Sequence, residues 1–221
     1  MPRLLVITAV TAEADAIVPS ATVGELAGLA VRRALTPAGL VDVVAGGVGP
    51  VEAALSTAAM LAAADYDAVL SAGIGGGFDG VELAVALRFA FADLGAQLAD
   101  GGFSSVTELG FGEGVLAADA ALAEAVAART GAVPGTVLTV ATVTGTAARA
   151  EALHRRHPDA VAEGMEGFGV AAAAARAGVP CTELRATSNP VGPRDRQNWQ
   201  LGPALARLGQ ACTALLAEGI L

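Results

Sequence analysis

Met165 and Glu166 stand at the mouth of a helix-forming stretch, and the run Arg185-Ala186-Thr187-Ser188-Asn189 closes the next apolar stretch. The two segments are therefore neighbours in a strand-helix-strand unit. A third polar residue, Glu13, follows the first apolar run of the chain, Arg3 to Val10. A carboxylate can accept hydrogen bonds from sugar or other hydroxyls or take a proton from water, and an arginine can hold a carboxylate in place. An asparagine amide offers two N–H donors and one acceptor without an ionisable proton. Each residue also has an ordinary structural reading: Glu13 as a first-turn helix acid, Met165-Glu166 as a core methionine beside a favourable N-terminal charge, and Asn189, before Pro190, as a turn residue.

Two glycine clusters, Gly46 to Gly49 and Gly73 to Gly77, could each be a phosphate cradle, a dinucleotide turn or a tight loop. A dinucleotide fingerprint wants Gly-x-Gly-x-x-Gly after the first strand, and the first strand here runs into Thr-Ala-Val-Thr-Ala-Glu without a glycine. All 13 basic residues are Arg, which excludes a Schiff base, a phosphate-loop lysine and a lysine general base. Cys181 and Cys212, His154 and His157 lack metal-type spacing, so neither a disulfide framework nor a zinc site is expected, and no cofactor or metal is called for.

The elements that must position these groups follow from length and pattern. The chain has 221 residues, 54% hydrophobic and 16% charged, so it is read as one α/β domain spanning 1–221 with a large core built from Ala, Val and Leu. A net charge of −9 and no long basic run argue against nucleic-acid binding and against acidic membrane surfaces. The longest stretch free of charge and histidine, Thr130 to Ala148, contains Pro134 and six Thr, which does not suit a spanning helix. The apolar run Leu4 to Val10 is too short for a signal peptide, and a cytoplasmic location is expected.

Strands are predicted at Arg3 to Val10, Val41 to Ala45, Asp67 to Ala72, Val85 to Ala92, Val137 to Thr142, Ala160 to Ala162 and Cys181 to Thr187. Helices are predicted at Val51 to Ala64, Ala147 to Arg156, Gly167 to Ala177 and from Trp199 to Glu218, with loops at Thr8 to Glu13 and over the Gly73 to Gly77 run. Alternation of this kind implies a central mostly parallel or mixed β-sheet flanked by helices, with binding residues beyond the carboxyl ends of the strands.

In its ordered motifs the sequence resembles the nucleoside phosphorylase and nucleosidase superfamily. The parts are Glu13 after the first strand, Gly47 to Pro50 opening a helix, Ser71 to Phe78, Glu163 to Phe168, and Arg185 to Asn189. The run Ser188-Asn189-Pro190-Val191-Gly192-Pro193-Arg194-Asp195-Arg196 with Trp199 is similar to the futalosine hydrolase family within it. That resemblance implies a nucleoside phosphorylase-like fold and cleavage of the N-glycosidic bond of futalosine to hypoxanthine, in menaquinone biosynthesis. The other product would keep a carboxylated aromatic ketone on the sugar.

By the same resemblance Glu13 orients and deprotonates water, helped by Arg185, while Glu166 accepts from two ribose hydroxyls and Met165 packs on the sugar. Asn189, where methylthioadenosine-type nucleosidases show Asp, would donate to the departing 6-oxopurine. Gly75 and Val143 are implied as further substrate contacts, and Phe168, two positions after Glu166, is the first aromatic expected to stack, ahead of Phe78, Phe103 and Trp199. Phosphorylases resembling this family place arginines near the first and glycine-rich strands, whereas here the loop Thr8 to Glu13 has no Arg and Ser71 stands about where the second would be, so water is the expected nucleophile. Ile74 replaces a serine of related nucleosidases and leaves one water ligand unassigned. Arg194, Arg196, Arg32 and Arg33 are candidates for the substrate carboxylate, the glycine-rich segment 101–114 is a candidate lid, and a homo-oligomer is implied.

Overall fold

The computed structural model describes residues 1–37 and 39–218. Its framework is β1 (Arg3–Thr8), in which Leu4 and Val6 face one core and Leu5 and Ile7 the other. A strand apolar on every residue is what burial on both faces requires. β4 (Gly39–Ala45) and β5 (Ala68–Gly77) lie parallel on either side of it, and β12 (Cys181–Pro190) runs parallel beyond β5. β12 then pairs antiparallel with β6 (Leu83–Phe91), which runs parallel to β10 (Val133–Thr139), and β10 parallel to β11 (Ala160–Gly164). β11 returns to β5 in antiparallel register, Ala162 opposite Gly77 and Glu163 opposite Gly76, so the sheet closes on itself at the end that carries the glycines.

Helices cover both faces. α1 (Thr11–Ile17), α3 (Ala120–Thr130) and α6 (Leu201–Glu218) bury Ile17, Leu122, Val126, Leu208 and Leu215 on one side. On the other, α2 (Pro50–Ala63) and α5 (Gly167–Ala177) bury Met60, Val170 and Ala174. A Cβ at Gly169 would sit 2.1 Å from the Pro50 carbonyl oxygen, so α5 meets α2 backbone against backbone. An interior assembled at that spacing has room for Ala and little for aromatics. α4 (Ala147–Arg156) is capped by the Thr146 hydroxyl oxygen, which accepts from the Arg149 N–H at 3.2 Å. α5 stops at Gly178, in the left-handed region at φ 70°.

The mixed sheet flanked by helices agrees with the sequence reading, as do α4, α5 and the main strands. Several boundaries differ, and α3 was not among the expected helices. The first loop ends sooner, since α1 starts at Thr11 and already contains Glu13. The Gly73 to Gly77 run is strand, because β5 continues through it with β12 and β11 as partners. β10 begins at Val133 and ends at Thr139. A hairpin of β2 (Thr22–Leu26) and β3 (Leu29–Thr36) extends the β4 edge where no strand was expected, because its largely exposed residues mix apolar and polar types. Segment 101–114 follows β7 (Gly95–Gln97), includes β8 (Phe103–Ser105) and leads to β9 (Val115–Ala117), which pairs with β6. Among the described residues no helix is long and apolar enough to cross a membrane.

Candidate active site

β1, β5 and β12 run parallel, so their carboxyl ends meet, and the end of β11 joins them through its pairing with β5. A cavity of about 370 Å³ opens there. Glu13, Glu163, Glu166 and Asn189 are among its polar lining, with Gly75, Gly76 and Met165 between them. Val10, Val48, Val143 and Trp199 are among its apolar walls.

Glu13 sits in the first turn of α1. Its Oε2 accepts from the Ala9 N–H at 2.9 Å and the Val10 N–H at 3.2 Å, and its Oε1 accepts from the Ile74 N–H at 2.9 Å. Three backbone donors from two elements thus fix one carboxylate at the cavity wall. Ile74 takes part through its main chain. Glu166, at the start of α5, accepts from the Gly49 N–H at 3.1 Å on Oε1 and from the Met165 N–H at 3.2 Å on Oε2. Gly49 has φ 93°, a conformation that turns its N–H toward Glu166 and that suits glycine. The first glycine cluster is therefore an anchor for Glu166.

Arg185 lies beneath the cavity and does not line it. Its guanidinium is buried and donates from Nε to Glu183 Oε1 at 2.5 Å, from Nη1 to the Ile74 carbonyl at 3.3 Å and from Nη2 to the Ser71 hydroxyl oxygen at 3.4 Å. Nη2 also pairs with Glu166 Oε2 at 3.1 Å. Arg185 was expected to help Glu13, and it stands behind the carboxylates, beside Glu13 at Gly73 and paired with Glu166. Ser71 likewise faces the arginine. A Cβ at Gly73 would lie 2.5 Å from Arg185 Nη1 and 2.8 Å from Glu13 Oε1, and one at Gly164 would lie 3.0 Å from Arg185 Cζ. The second cluster is clearance for a buried arginine.

Burial alone would push the Arg185 guanidinium down, but Glu183, Glu166 and Glu13 outweigh it and hold its pKa above the ordinary arginine value. Burial raises the Glu183 carboxyl, with Arg185 opposing, and Glu183 Oε2 has no hydrogen-bond partner. A raised folded pKa gives stability that is present below the unfolded carboxylate value and lost as pH rises through the folded one. Glu183→Gln keeps an acceptor for Arg185 Nε and removes that loss. Its melting temperature relative to the parent is therefore expected to rise from about pH 5 to about pH 8, and a flat or falling difference would show that Glu183 gains no proton on folding.

Of the other residues singled out in the sequence, Phe168 is turned away: its ring packs 5.5 Å from Phe91 in a separate shallow groove. Its N–H donates to Thr139 Oγ1 at 2.8 Å, which orients the helix start and swings the ring out of the cavity. Phe78 stacks on His154 and Phe103 lies under Arg156. Arg33 pairs with Asp42 and Arg32 with Asp15, away from the cavity. The Arg196 side chain lies outside the described residues. Arg194 lies 5.0 Å over the Trp199 ring, which reaches the cavity wall. No residue of 101–114 lines the cavity, so the lid expectation is dropped.

A profile of the Phosphorylase superfamily matches residues 3–219. The chain is 54% identical to futalosine hydrolase of Streptomyces coelicolor, covering 95% of this chain and 93% of that protein. It belongs to the futalosine hydrolase family of the phosphorylase superfamily. Members of this family are N-glycosyl hydrolases, and so is this enzyme. Futalosine hydrolase of Acidothermus cellulolyticus is 44% identical over 96% of this chain and 90% of its own. The solved futalosine hydrolase of Helicobacter pylori strain 26695 has the same fold, with TM-score 0.82, 19% identity and 97% of each chain covered. The 5'-methylthioadenosine/S-adenosylhomocysteine nucleosidase of Helicobacter pylori shares that fold too, with TM-score 0.83, 19% identity and 97% of each chain.

In this hydrolase family member Glu163 escaped the sequence reading as a site residue, and Trp199 stood there only as a stacking candidate behind Phe168. Glu163 was seen only as part of a motif, although an acid among Ala and Gly in a buried strand is itself a signal. Trp199 was one aromatic among eight, and only its distance from the core clusters marks it out.

Proposed function

We propose that the protein hydrolyses futalosine to hypoxanthine and dehypoxanthine futalosine, as a step of menaquinone biosynthesis. The observation that carries this reading is the charge pattern of the cavity. Three carboxylates line it, no arginine does so among the described residues, and the one arginine beneath is bonded to Glu183 and Glu166. A phosphate dianion would meet only like charge there, whereas water and a developing sugar cation are suited to it.

In the proposed reaction Glu166 holds the ribose hydroxyls and Met165 packs on the sugar. Glu13 accepts a proton from water as the water oxygen bonds to C1′, and the C1′–N9 electron pair departs with the purine. The purine ends with one of the two water protons, so that a single water is consumed. Asn189 meets the leaving base. Its Oδ1 accepts from the Ser188 hydroxyl at 2.8 Å and one Nδ2 proton goes to the Pro190 carbonyl at 2.8 Å, which leaves the second N–H for the 6-oxopurine. Asn189→Ala is expected to lower the rate of hypoxanthine release about 10² to 10³-fold, the usual effect of one lost transition-state donor; less than threefold would remove that role. The carboxylated aromatic tail would reach the Arg194–Trp199 pair, where a cation and a ring suit both of its groups.

The same reading includes self-association with a second copy. Val51 and Leu55, one turn apart and exposed on α2, continue from the cavity-lining Val48 and form an apolar groove with Phe91 and Phe168. Light scattering on the purified chain should give more than one chain mass, and a monomer would remove the proposal.

The deciding experiment measures base release from futalosine, inosine and methylthioadenosine with and without phosphate. Phosphate-independent hypoxanthine release from futalosine is the expected result. Release that needs phosphate, or adenine release alone, would overturn it.

A further inference from the structure

Glu163 has no part in the chemistry above, yet it reaches the cavity from the row of β-sheet that also carries Asn189. Glu163 of β11 and Asn189 of β12 are both register partners of Gly76 on β5. Directly opposed residues point to one face of a sheet. Glu163 and Asn189 therefore flank Gly76 on the same side, two strand spacings or about 10 Å apart. Gly76 contributes no side chain, and a Cβ there would stand 2.8 Å from Val191 and 3.6 Å from Asn189 Nδ2. The Val191 side chain covers Gly76 there and itself lines the cavity, so an apolar surface lies between an amide and a carboxylate, an arrangement suited to a flat heterocycle held by its two edges.

The carboxylate is held but not saturated. Its Oε1 accepts from the Thr144 N–H at 2.9 Å and its Oε2 from the Thr144 hydroxyl at 2.5 Å. Those two bonds leave acceptor capacity on each oxygen, and Thr144 itself lines the cavity beside it. Among the described residues no arginine or histidine pairs with Glu163, so its free acceptors are offered to whatever occupies the cavity.

We propose that Glu163 is a specificity-determining residue that accepts a hydrogen bond from the N1–H of a 6-oxopurine while Asn189 serves the O6 and N7 edge. This rests on the nucleosidase reading above. A 6-oxopurine carries a proton on N1, next to O6. A 6-aminopurine carries a lone pair on N1, which would face the carboxylate oxygens without a proton between them. The site thus selects the base by an acceptor on one side and a donor on the other. Burial raises the Glu163 carboxyl, and its two Thr144 bonds oppose that shift.

The test compares kcat/KM for futalosine with that for its 6-amino counterpart, in the parent, in Glu163→Gln and in Thr144→Val. The parent is expected to favour the 6-oxo substrate, and Glu163→Gln to lose about tenfold or more of that preference, the worth of one charge-assisted bond, because the new amide can donate to an unprotonated N1. Thr144→Val, which keeps the carboxylate but removes its hydroxyl anchor, should keep a preference close to the parent's even if its rates fall. Equal losses on both substrates in Glu163→Gln, with the preference intact, would show an anchor for the Thr144 loop and overturn the proposal alone. No release of a 6-oxopurine by the parent would overturn the nucleosidase reading and this proposal with it.

Discussion

Glu13→Gln is expected to lower kcat for base release by about 10³, within the range for loss of a positioned general base, while nucleoside binding changes by less than about threefold, well under one hydrogen bond's worth. The asymmetry follows from what Glu13 touches. Its carboxylate is gripped by the Ala9, Val10 and Ile74 N–H groups and would contact water, whereas Glu166 would contact the sugar. An amide keeps the size but brings an NH₂ group against one or more of those donors and cannot take the proton. Single-turnover rates and calorimetric titration with a non-hydrolysable nucleoside separate the two quantities. Equal loss of binding would assign Glu13 to the ribose instead.

Arg185→Leu should have the largest effect on the protein as a whole. The guanidinium is 1% exposed and lies between Glu183, Glu166 and Glu13. Removing it leaves buried carboxylates without a counter-charge, a change that costs about 3–5 kcal/mol when a buried pair is broken. For a chain of this length that corresponds to a fall in melting temperature of about 10 °C. Activity should fall below detection as well, because Glu166 loses the partner that fixes Oε2. Adding Glu183→Leu to Arg185→Leu should recover part of the lost stability, since one uncompensated acid is then removed. A single Arg185→Leu variant that melts with the parent would mean that the three acids are relieved by some other route.

The fold was largely legible because its central strands are buried on both faces and α5 ends at a glycine. Leu4 to Ile7 is a continuous apolar run, and Gly178 stops α5 where the sequence says it should. Glycine runs misled where they mark close approach instead of a turn. Nothing local distinguishes Gly73, which stays in a strand to make room for Arg185, from a loop glycine. The positions of Arg185 and Asn189 were legible as a motif but not their directions. Strict alternation along β12 would put both on one face, whereas the register shifts between Thr187 and Asn189, so that Ser188 is the extra residue. That bulge sends Arg185 under the cavity and Asn189 into it. The Phe168 reading failed for a similar reason, since nearness in sequence to Glu166 does not fix the rotation of α5, which Thr139 helps to set.

The three acids around the cavity also bear on how this fold could change its co-substrate in evolution. A single new arginine in the cavity wall would first be neutralised by Glu13, Glu163 or Glu166, and would attract no second anion until at least one of them was lost. Loss of Glu13 or Glu166 would, on the proposed roles, silence hydrolysis before phosphate could be used. Steps that remove Glu13 or Glu166 therefore give up hydrolysis before they gain an anion site, and that obstacle is set by carboxylates and not by the shape of the fold. Drift at Glu163 alone avoids that obstacle, so changes of base preference should be far easier to reach in descendants of this chain than changes of nucleophile.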